Sequence, residues 1–246
     1  MNKFSLEIEN LSYIYPDKFQ ALKNINLKLE DGECLGIVGA NGAGKSTLLL
    51  QLCGILLPTT GSIKVENMLM NKENLSKIRR ILGFVFQNPE NQLFTTSIYE
   101  DVAFGPKNYK LSKEEVPEKT MNALKKVGIE NLKDRPPYRL SGGQQNLAAI
   151  ATAIAMEPSI LIMDEPSAAL DPKARRRLIN LLNDLNYTKI IASHDLDLIL
   201  DTCSKTIVLK EGKIVQSGYT KDILLNEQLM EDCNLELPLS AQKIKI

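Results

Sequence analysis

The 246-residue sequence is short of net charge, of closely spaced cysteines and of long apolar runs. Its 30 Lys and Arg residues balance 30 Asp and Glu residues, which argues against nucleic acid as the main partner because phosphate backbones select basic surfaces. The four cysteines lack C-x-x-C spacing, so buried thiols in a reducing compartment are favoured over disulfides or a metal site. The richest apolar run, Leu48–Leu57, contains Gln51 and Gly54 and is too short to span a bilayer.

The length and the amino terminus narrow the class of protein further. A chain of 246 residues holds one large domain or two small ones. The first residues lack the apolar segment of a signal peptide. We therefore expect a cytosolic protein that can still dock on a membrane protein.

One stretch, Gly39–Ser46 followed by Thr47, matches the phosphate-binding pattern G-x-x-x-x-G-K-[ST] at every position. Apolar residues predict a buried strand before it and a helix from Ser46 to Leu57 after it. Glycines let backbone N–H groups close around phosphate oxygens, and the helix N-terminus adds partial positive charge. Lys45 would reach the β- and γ-phosphates, and the Ser46 hydroxyl would bind Mg²⁺. A plain connecting turn would not need all these positions, so we predict nucleoside triphosphate binding.

Polar side chains follow three further apolar segments that predict buried strands. Gln87 follows the first, Asp164 and Glu165 follow the second, and His194 follows the third. Sheets of α/β proteins bind ligands at the carboxyl ends of their strands. Asp164 would hold Mg²⁺, and Glu165 would polarise the attacking water. Gln87 would complete the Mg²⁺ shell or make only backbone bonds, and His194, the only histidine, would contact the γ-phosphate or be structural. The three segments are 81–86, 160–163 and 189–193.

A second predicted helix start has the chemistry to bind an anion. Ser141 is a candidate N-cap with Gln144 three residues later, and an alanine-rich run continues the helix. Gly142 and Gly143 destabilise the first turn by about 1 kcal/mol each relative to alanine. Because a capping turn alone would not need both, we interpret them as leaving the helix N–H groups open to an anion.

The remaining patterns predict β-rich and helical additions to the α/β core. Residues 4–34 alternate as strands, and residues 206–215 predict a hairpin. A helical insertion is predicted between residues 88 and 140, with a capping box at Ser97. Tyr15 would stack on a nucleotide base or, equally, pack on the sheet as a strand aromatic.

These motifs, in this order and at this spacing, make the chain resemble an ABC-transporter ATPase subunit over residues 4 to about 225. The resemblance implies a P-loop NTPase core of the RecA-like α/β type, with an N-terminal antiparallel β subdomain. An α-helical subdomain at about 90–157 would be inserted in that core. The whole ATPase domain would cover 1–225, and 226–246 would form a short helical tail.

The resemblance also implies roles for individual residues. The catalytic residues would be Glu165, His194 and Lys45. The ATP-binding residues would be Tyr15, Gly39, Asn41, Gly42, Ala43, Gly44, Lys45, Ser46, Thr47 and Gln87. The Mg²⁺ ligands would be Ser46, Gln87 and Asp164. The signature motif that contacts a second subunit's nucleotide would be Ser141, Gly142, Gly143 and Gln144, with Asp171 in the D-loop.

Within the family, the segments Gln87–Phe94 and Glu100–Pro106 resemble energy-coupling-factor and cobalt/nickel importer ATPases. Such ATPases work in pairs beneath a membrane subunit and drive the uptake of vitamins or metal ions. The resemblance therefore implies a homo- or heterodimer with a second ABC ATPase subunit, at the cytoplasmic face of the membrane. A transmembrane subunit would dock near Gln87–Phe94. One departure is Gln145-Asn146-Leu147, where the family usually has basic residues.

Two other functions stay open on the sequence. One is a soluble ABC ATPase that acts on DNA or the ribosome, and the other is a catalytically weak regulatory partner in a heterodimer. Neutral charge and the lack of long coiled-coil heptads count against the first. Glu165 and His194 count against the second. The residues favour a transport ATPase that does not bind nucleic acid.

Overall fold

The computed structural model describes residues 4–242, whose contacts divide into two compact units. Unit 1 comprises residues 4–79 and 187–242, and unit 2 comprises residues 80–186. The strands are β1 (Phe4–Ile14), β2 (Gln20–Glu30), β3 (Cys34–Val38), β4 (Thr60–Val65), β5 (Met68–Leu69), β6 (Leu82–Val85), β7 (Ile160–Asp164), β8 (Thr188–Ala192), β9 (Lys205–Lys210) and β10 (Lys213–Tyr219). The α-helices are α1 (Lys45–Leu52), α2 (Leu75–Arg80), α3 (Ile98–Asn108), α4 (Glu115–Val127), α5 (Gly142–Ile154), α6 (Pro172–Asp184), α7 (Leu196–Thr202), α8 (Thr220–Leu224) and α9 (Glu227–Asp232).

Unit 1 contains the predicted antiparallel β region. Its strands lie in the order β2-β1-β4-β5. Ile8 of β1 is opposite Leu27 of β2 on one side and Ile63 of β4 on the other. Leu6 and Ile8 are buried while Glu9 is exposed, as expected for a sheet that buries one face. The alternation in the sequence therefore predicted this region correctly.

Unit 1 also contains the parallel strands around β3. Every residue of β3 is buried, and β3 pairs in parallel with both β8 and β9. β9 and β10 form the predicted antiparallel hairpin, with Glu211 and Gly212 at positive φ in its turn. Strands buried on both sides need continuous apolar residues, and this need explains the short apolar runs in the sequence.

The helix after β3 is shorter than predicted, because α1 ends at Leu52 and the expectation of a helix to Leu57 is wrong. Gly54 adopts a left-handed conformation with φ of 62°, which ends helices readily. A Cβ at Gly54 would lie 2.2 Å from the Leu75 side chain. The chain therefore turns where α2 packs closely against it.

Unit 2 holds two parallel strands and the helical segment. β6 and β7 pair in parallel, with Val85 opposite Met163, and α3, α4 and α5 pack against one another. The Ser97 hydroxyl accepts a hydrogen bond from the N–H of Glu100 at 3.3 Å, so the predicted start of α3 is confirmed. Just before α4, the Ser112 hydroxyl accepts a hydrogen bond from the N–H of Glu115, the first residue of the helix, at 3.1 Å.

The four cysteines, Cys34, Cys53, Cys203 and Cys233, are free and buried, as the sequence predicted. All four lie in unit 1, where the sulfur atoms of Cys34 and Cys203 are 3.4 Å apart. Between residues 4 and 242 no helix combines the length and the apolar character that crossing a bilayer requires. Residues 243–246 of the predicted tail lie outside the described range.

Candidate functional site

The predicted phosphate-binding loop lies between β3 and α1 in unit 1. Gly44, the N-cap of α1, has a left-handed conformation with φ of 107°. The first helical hydrogen bond runs from the N–H of Leu48 to the carbonyl of Gly44 at 2.9 Å. The N–H groups of the first turn therefore have no acceptor within the helix, and such donors can bind a phosphate.

The rest of the loop leaves space for a ligand. The N–H of Ala43 donates to the carbonyl of Ala40 at 3.1 Å and closes the turn. Asn41 and Gly42 are exposed, and a Cβ at Gly42 would meet no atom within 4 Å. These residues therefore form an open cradle of backbone groups that fits a triphosphate.

Lys45 carries the positive charge of this loop. Its side chain is buried, and Nζ donates to the carbonyl of Gly39 at 2.7 Å and of Ala40 at 3.4 Å. Ser46 is exposed beside it. The described part of the chain has no cluster of three or more His, Cys, Asp or Glu residues. Mg²⁺ needs only one or two protein oxygens together with phosphates and water, and the exposed Ser46 hydroxyl is one oxygen of this kind.

Tyr15 lies beside the helix that starts at the loop. Its hydroxyl shares a hydrogen bond of 3.1 Å with the hydroxyl of Thr47. Its ring meets the Tyr13 ring edge to face, with centroids 4.8 Å apart. The side chain is half-buried. Tyr15 is therefore next to the candidate phosphate site, and its stacking on a base stays a prediction.

His194 stands at the same edge of the sheet as the loop. β3 and β8 are parallel, and the N–H of Ser193 donates to the carbonyl of Ile37 at 3.2 Å. His194 follows directly and is exposed. Asp195 caps α7 by accepting the N–H of Leu198 at 2.9 Å. The structure therefore brings His194 and the phosphate-binding loop to one edge of unit 1.

Unit 2 contains three further predicted site residues, Gln87, Asp164 and Glu165. Because β6 and β7 are parallel, their carboxyl ends lie at one edge, where Gln87 is exposed and Asp164 ends β7. Glu165 is 7% exposed and has a left-handed conformation with φ of 49°. Such a conformation is unusual for a non-glycine residue and often marks a functional site.

The signature segment has the capping geometry that the sequence predicted. The Ser141 hydroxyl accepts the N–H of Gln144 at 3.4 Å, and the Gln144 side chain accepts the N–H of Ser141 at 3.0 Å. A Cβ at Gly142 would meet no atom within 4 Å, whereas one at Gly143 would lie 3.0 Å from the Cβ of Ala174. Gly143 therefore permits close packing on α6, and Gly142 leaves the helix end open.

Asp171 has a structural task as well as its predicted place in the D-loop. It caps α6 by accepting the N–H groups of Lys173 and Ala174, both at 2.9 Å. A pocket of about 400 Å³ lies between this cap and the start of α5, with Ser141 and Gly142 in its lining. The two predicted motifs of unit 2 thus share one pocket.

The sequence analysis missed two residues that shape the segment after Gln87. The Gln92 side chain accepts the N–H of Phe86 at 3.1 Å and donates to the hydroxyl of Thr152 at 2.6 Å. The Asp101 carboxylate accepts the N–H groups of Phe94 at 3.0 Å and Thr95 at 2.9 Å. Burial raises the pKa of Asp101 above its usual value, and these two hydrogen bonds act in the opposite direction. In the sequence Gln92 ends a polar loop and Asp101 directly follows Glu100, so neither residue is distinguished by its neighbours.

The segment fixed in this way borders a second pocket of unit 2, of about 270 Å³. Its lining includes Glu90, Phe94 and Tyr138. Phe94 is 64% exposed and Tyr138 is 78% exposed, and Phe94 also meets Phe104 edge to face at 5.1 Å. Aromatic residues are enriched at protein–protein interfaces relative to the rest of a protein surface.

Comparison with known proteins identifies the family. The family model described as "ABC transporter" matches residues 22–168. The chain belongs to the ABC transporter family. A putative ABC transporter ATP-binding protein of Geobacter sulfurreducens is 47% identical over 242 residues, which cover 98% of this chain and 97% of that protein. The energy-coupling factor transporter ATP-binding protein EcfA of Methanosphaera stadtmanae is 44% identical, over 96% of this chain and 87% of its own length.

Solved structures of ABC proteins agree with this assignment. The structure of cbiO1 from Clostridium perfringens, described as part of the ABC transporter complex cbiONQ, matches with a TM-score of 0.86 and 41% identity, covering 99% of this chain and all of that one. A dimeric post-hydrolysis structure of the ATP-binding cassette MJ0796, bound to ADP and Pi, matches with a TM-score of 0.79 and 31% identity, over 87% of this chain and 98% of that one. The fold is therefore the predicted ABC ATPase fold, and the protein is an ATPase that binds ATP.

Proposed function

We propose that this ABC ATPase powers an importer of the energy-coupling-factor type that takes up a vitamin or a divalent metal ion. The observation that carries the proposal is the similarity, over nearly the whole chain, to EcfA and cbiO1. As part of the proposal, a membrane subunit holds the protein at the cytoplasmic face. The relatives give no support to the soluble alternative or to the weak regulatory partner.

Co-purification tests this assignment directly. The tagged protein should be isolated from detergent-solubilised membranes, and the accompanying chains should be identified by mass spectrometry. We expect at least one membrane-spanning chain, with or without a second ABC ATPase. Recovery with ribosomes or DNA, and without any membrane chain, would contradict the proposal.

We further propose a separate role for each group of candidate site residues. The N–H groups of the Gly39–Ser46 loop and the Lys45 ammonium bind the phosphates, as the open loop geometry supports. Ser46, Gln87 and Asp164 would hold Mg²⁺, which would neutralise charge on the phosphate oxygens. Glu165 orients and deprotonates the attacking water, and His194 contacts the γ-phosphate.

The pairing of two subunits is part of the same proposal. Within residues 4–242 each chain offers two helix starts suited to an anion, at Lys45 and at Gly142, but one pair of acidic residues, Asp164 and Glu165, at the end of a buried parallel strand. We propose that Ser141, Gly142 and Gly143 of each subunit close over the ATP that is bound by the other. Hydrolysis per subunit should then rise steeply with protein concentration.

A substitution at Gly142 tests the pairing without disturbing the fold. The position has open space around its Cβ, and an acidic residue in the first turn is favourable for a helix. Gly142→Asp should keep ATP binding by the single subunit, but it should reduce the hydrolysis rate at high protein concentration by about tenfold or more, as expected for one like-charge contact. Gly142→Ala is the matched control and should stay concentration-dependent. Equal rates for Gly142→Asp and the wild type would reject the contact.

We propose that the 270 Å³ pocket with Glu90, Phe94 and Tyr138 receives a cytoplasmic helix of the membrane subunit. Because Phe94 and Tyr138 are exposed, replacing them with serine should leave the fold intact. Phe94→Ser combined with Tyr138→Ser should reduce the amount of co-purified membrane chain by about tenfold, since aromatic anchors dominate many interfaces. Tyr219→Ser, at an exposed tyrosine of unit 1, should leave the yield unchanged. Undiminished co-purification of the double variant would place the docking surface elsewhere.

A further inference from the structure

Asn146 lies one residue beyond Gln145 in α5 and makes a buried contact that the sequence analysis did not anticipate. Only 4% of it is exposed, and Nδ2 donates to the carbonyl oxygen of Pro166 at 2.6 Å. A carbonyl oxygen can only accept a hydrogen bond, so the amide nitrogen must face it. The orientation of the Asn146 side chain is therefore fixed by its partner.

Pro166 is the residue that follows Glu165, so this contact acts on the chain next to the proposed catalytic carboxylate. Proline has no N–H group, and its carbonyl is therefore the only backbone group at position 166 that a hydrogen bond can hold. Glu165 itself has a left-handed conformation, and the N–H of Ala168 donates to its carbonyl at 3.0 Å. A non-glycine residue keeps such a conformation only where its surroundings impose it.

We propose that Asn146 is a positioning residue for ATP hydrolysis, which holds the Glu165-Pro166 turn so that the Glu165 carboxylate stays aimed at the attacking water. The inference rests on the role proposed above for Glu165. It also gives a task to the Gln145-Asn146-Leu147 segment, where this chain departs from the usual basic residues of the family. Leu147 is buried, a position where the charge of a basic side chain would be unfavourable without a partner.

The bond to Pro166 is the one hydrogen bond of the Asn146 side chain among residues 4–242. Its Oδ1 atom is buried, and within residues 4–242 no hydrogen-bond donor reaches it. The rate of hydrolysis is sensitive to the position of the Glu165 carboxylate, because misplacing a catalytic group by about 1 Å can slow a reaction by about a hundredfold.

Gln145 provides a matched control on the same helix. Its Nε2 atom donates to the carbonyl of Pro137 at 3.1 Å, which is also a side-chain amide bound to a proline carbonyl. Pro137 lies in a short 3₁₀ helix that precedes α5, and it is distant in sequence from Glu165. Gln145→Leu therefore removes the same kind of hydrogen bond without releasing the Glu165-Pro166 turn.

The test compares Asn146→Leu, which keeps the volume, and Asn146→Ala, which cannot overfill the site, with the wild type and Gln145→Leu. For each protein, kcat and KM for ATP, the affinity for a fluorescent ATP analogue and the Tm are measured. We expect kcat of both Asn146 variants to fall about tenfold to a hundredfold, with KM and analogue affinity within about threefold of the wild type. Gln145→Leu should keep kcat within about twofold, a change no larger than the effects ordinarily seen away from the reacting groups.

A double variant shows whether Asn146 acts through Glu165. If it does, Asn146→Leu should slow hydrolysis no further in the Glu165→Gln background, because the two residues work as a unit. Wild-type kcat in both Asn146 variants, or a full additional loss in the double variant, would overturn the inference and leave the role of Glu165 intact. Wild-type kcat in Glu165→Gln alone would remove the proposed role of Glu165 and the inference with it.

Discussion

Glu165→Gln is expected to bind ATP as the wild type does but to hydrolyse it at least about a hundred times more slowly. A loss of this size is typical of removing one preorganised catalytic group. The substitution keeps the size of the side chain and its buried place after β7. It removes the negative charge and the base that would accept a proton from water. Steady-state phosphate release and equilibrium binding of ATP, measured on the same preparation, separate the two effects.

Glu118→Gln is the matched control for this experiment. Glu118 is an exposed residue of α4, so the same chemical change there should leave the rate unchanged. If Glu165→Gln turned over at the wild-type rate, Glu165 could not be the base. Loss of ATP binding together with hydrolysis would instead indicate that the carboxylate supports the nucleotide site itself.

Lys45→Met is expected to weaken ATP binding by about one to two orders of magnitude, because a charge-assisted hydrogen bond contributes about 1.5–3 kcal/mol. Methionine fills the space of the lysine stem but cannot donate to the phosphates. Nor can it make the bonds that Nζ donates to the carbonyls of Gly39 and Ala40. Both losses act on the phosphate-binding loop, so we expect a larger effect on ATP binding than on thermal stability.

Isothermal titration with ATP and Mg²⁺ measures this effect, and Lys77→Met is its control. Lys77 is an exposed residue of α2, where loss of one positive charge should not change nucleotide affinity. Unchanged affinity in Lys45→Met would show that the backbone N–H groups of the loop bind the phosphates without the lysine. A fall in Tm as large as that caused by a disruptive substitution in the core would show that the lysine mainly supports the structure of the loop.

Features encoded within a few consecutive residues were predictable from the sequence. The capping box of Ser141 and Gln144 and the cap at Ser97 join groups three residues apart, and local bonds of this kind leave a recognisable pattern. The glycine-rich loop is contiguous, and its strand and helix adjoin it. For the same reason, the hairpin of β9 and β10 could be predicted from its turn.

Features that depend on distant residues were not predictable. The Leu75 side chain packs closely beside Gly54, just past the end of α1, and nothing near Gly54 in the sequence indicates that contact. Asn146 meets a carbonyl that follows the strand β7, and the Asp101 carboxylate meets a segment that folds back before α3. In each case the partner is chosen by packing, which a pattern of apolar residues does not specify.

The distribution of the four cysteines makes them a natural reporter of conformational opening. Because every thiol is buried, an alkylating reagent can react only when the surrounding structure transiently opens. Burial also raises the pKa of Cys53 to about 12, which keeps this sulfur in its less nucleophilic form. Unit 2 contains no cysteine. The rate of thiol labelling, with and without ATP, would therefore report the opening of unit 1 alone, and a single cysteine introduced into α4 would report unit 2 separately.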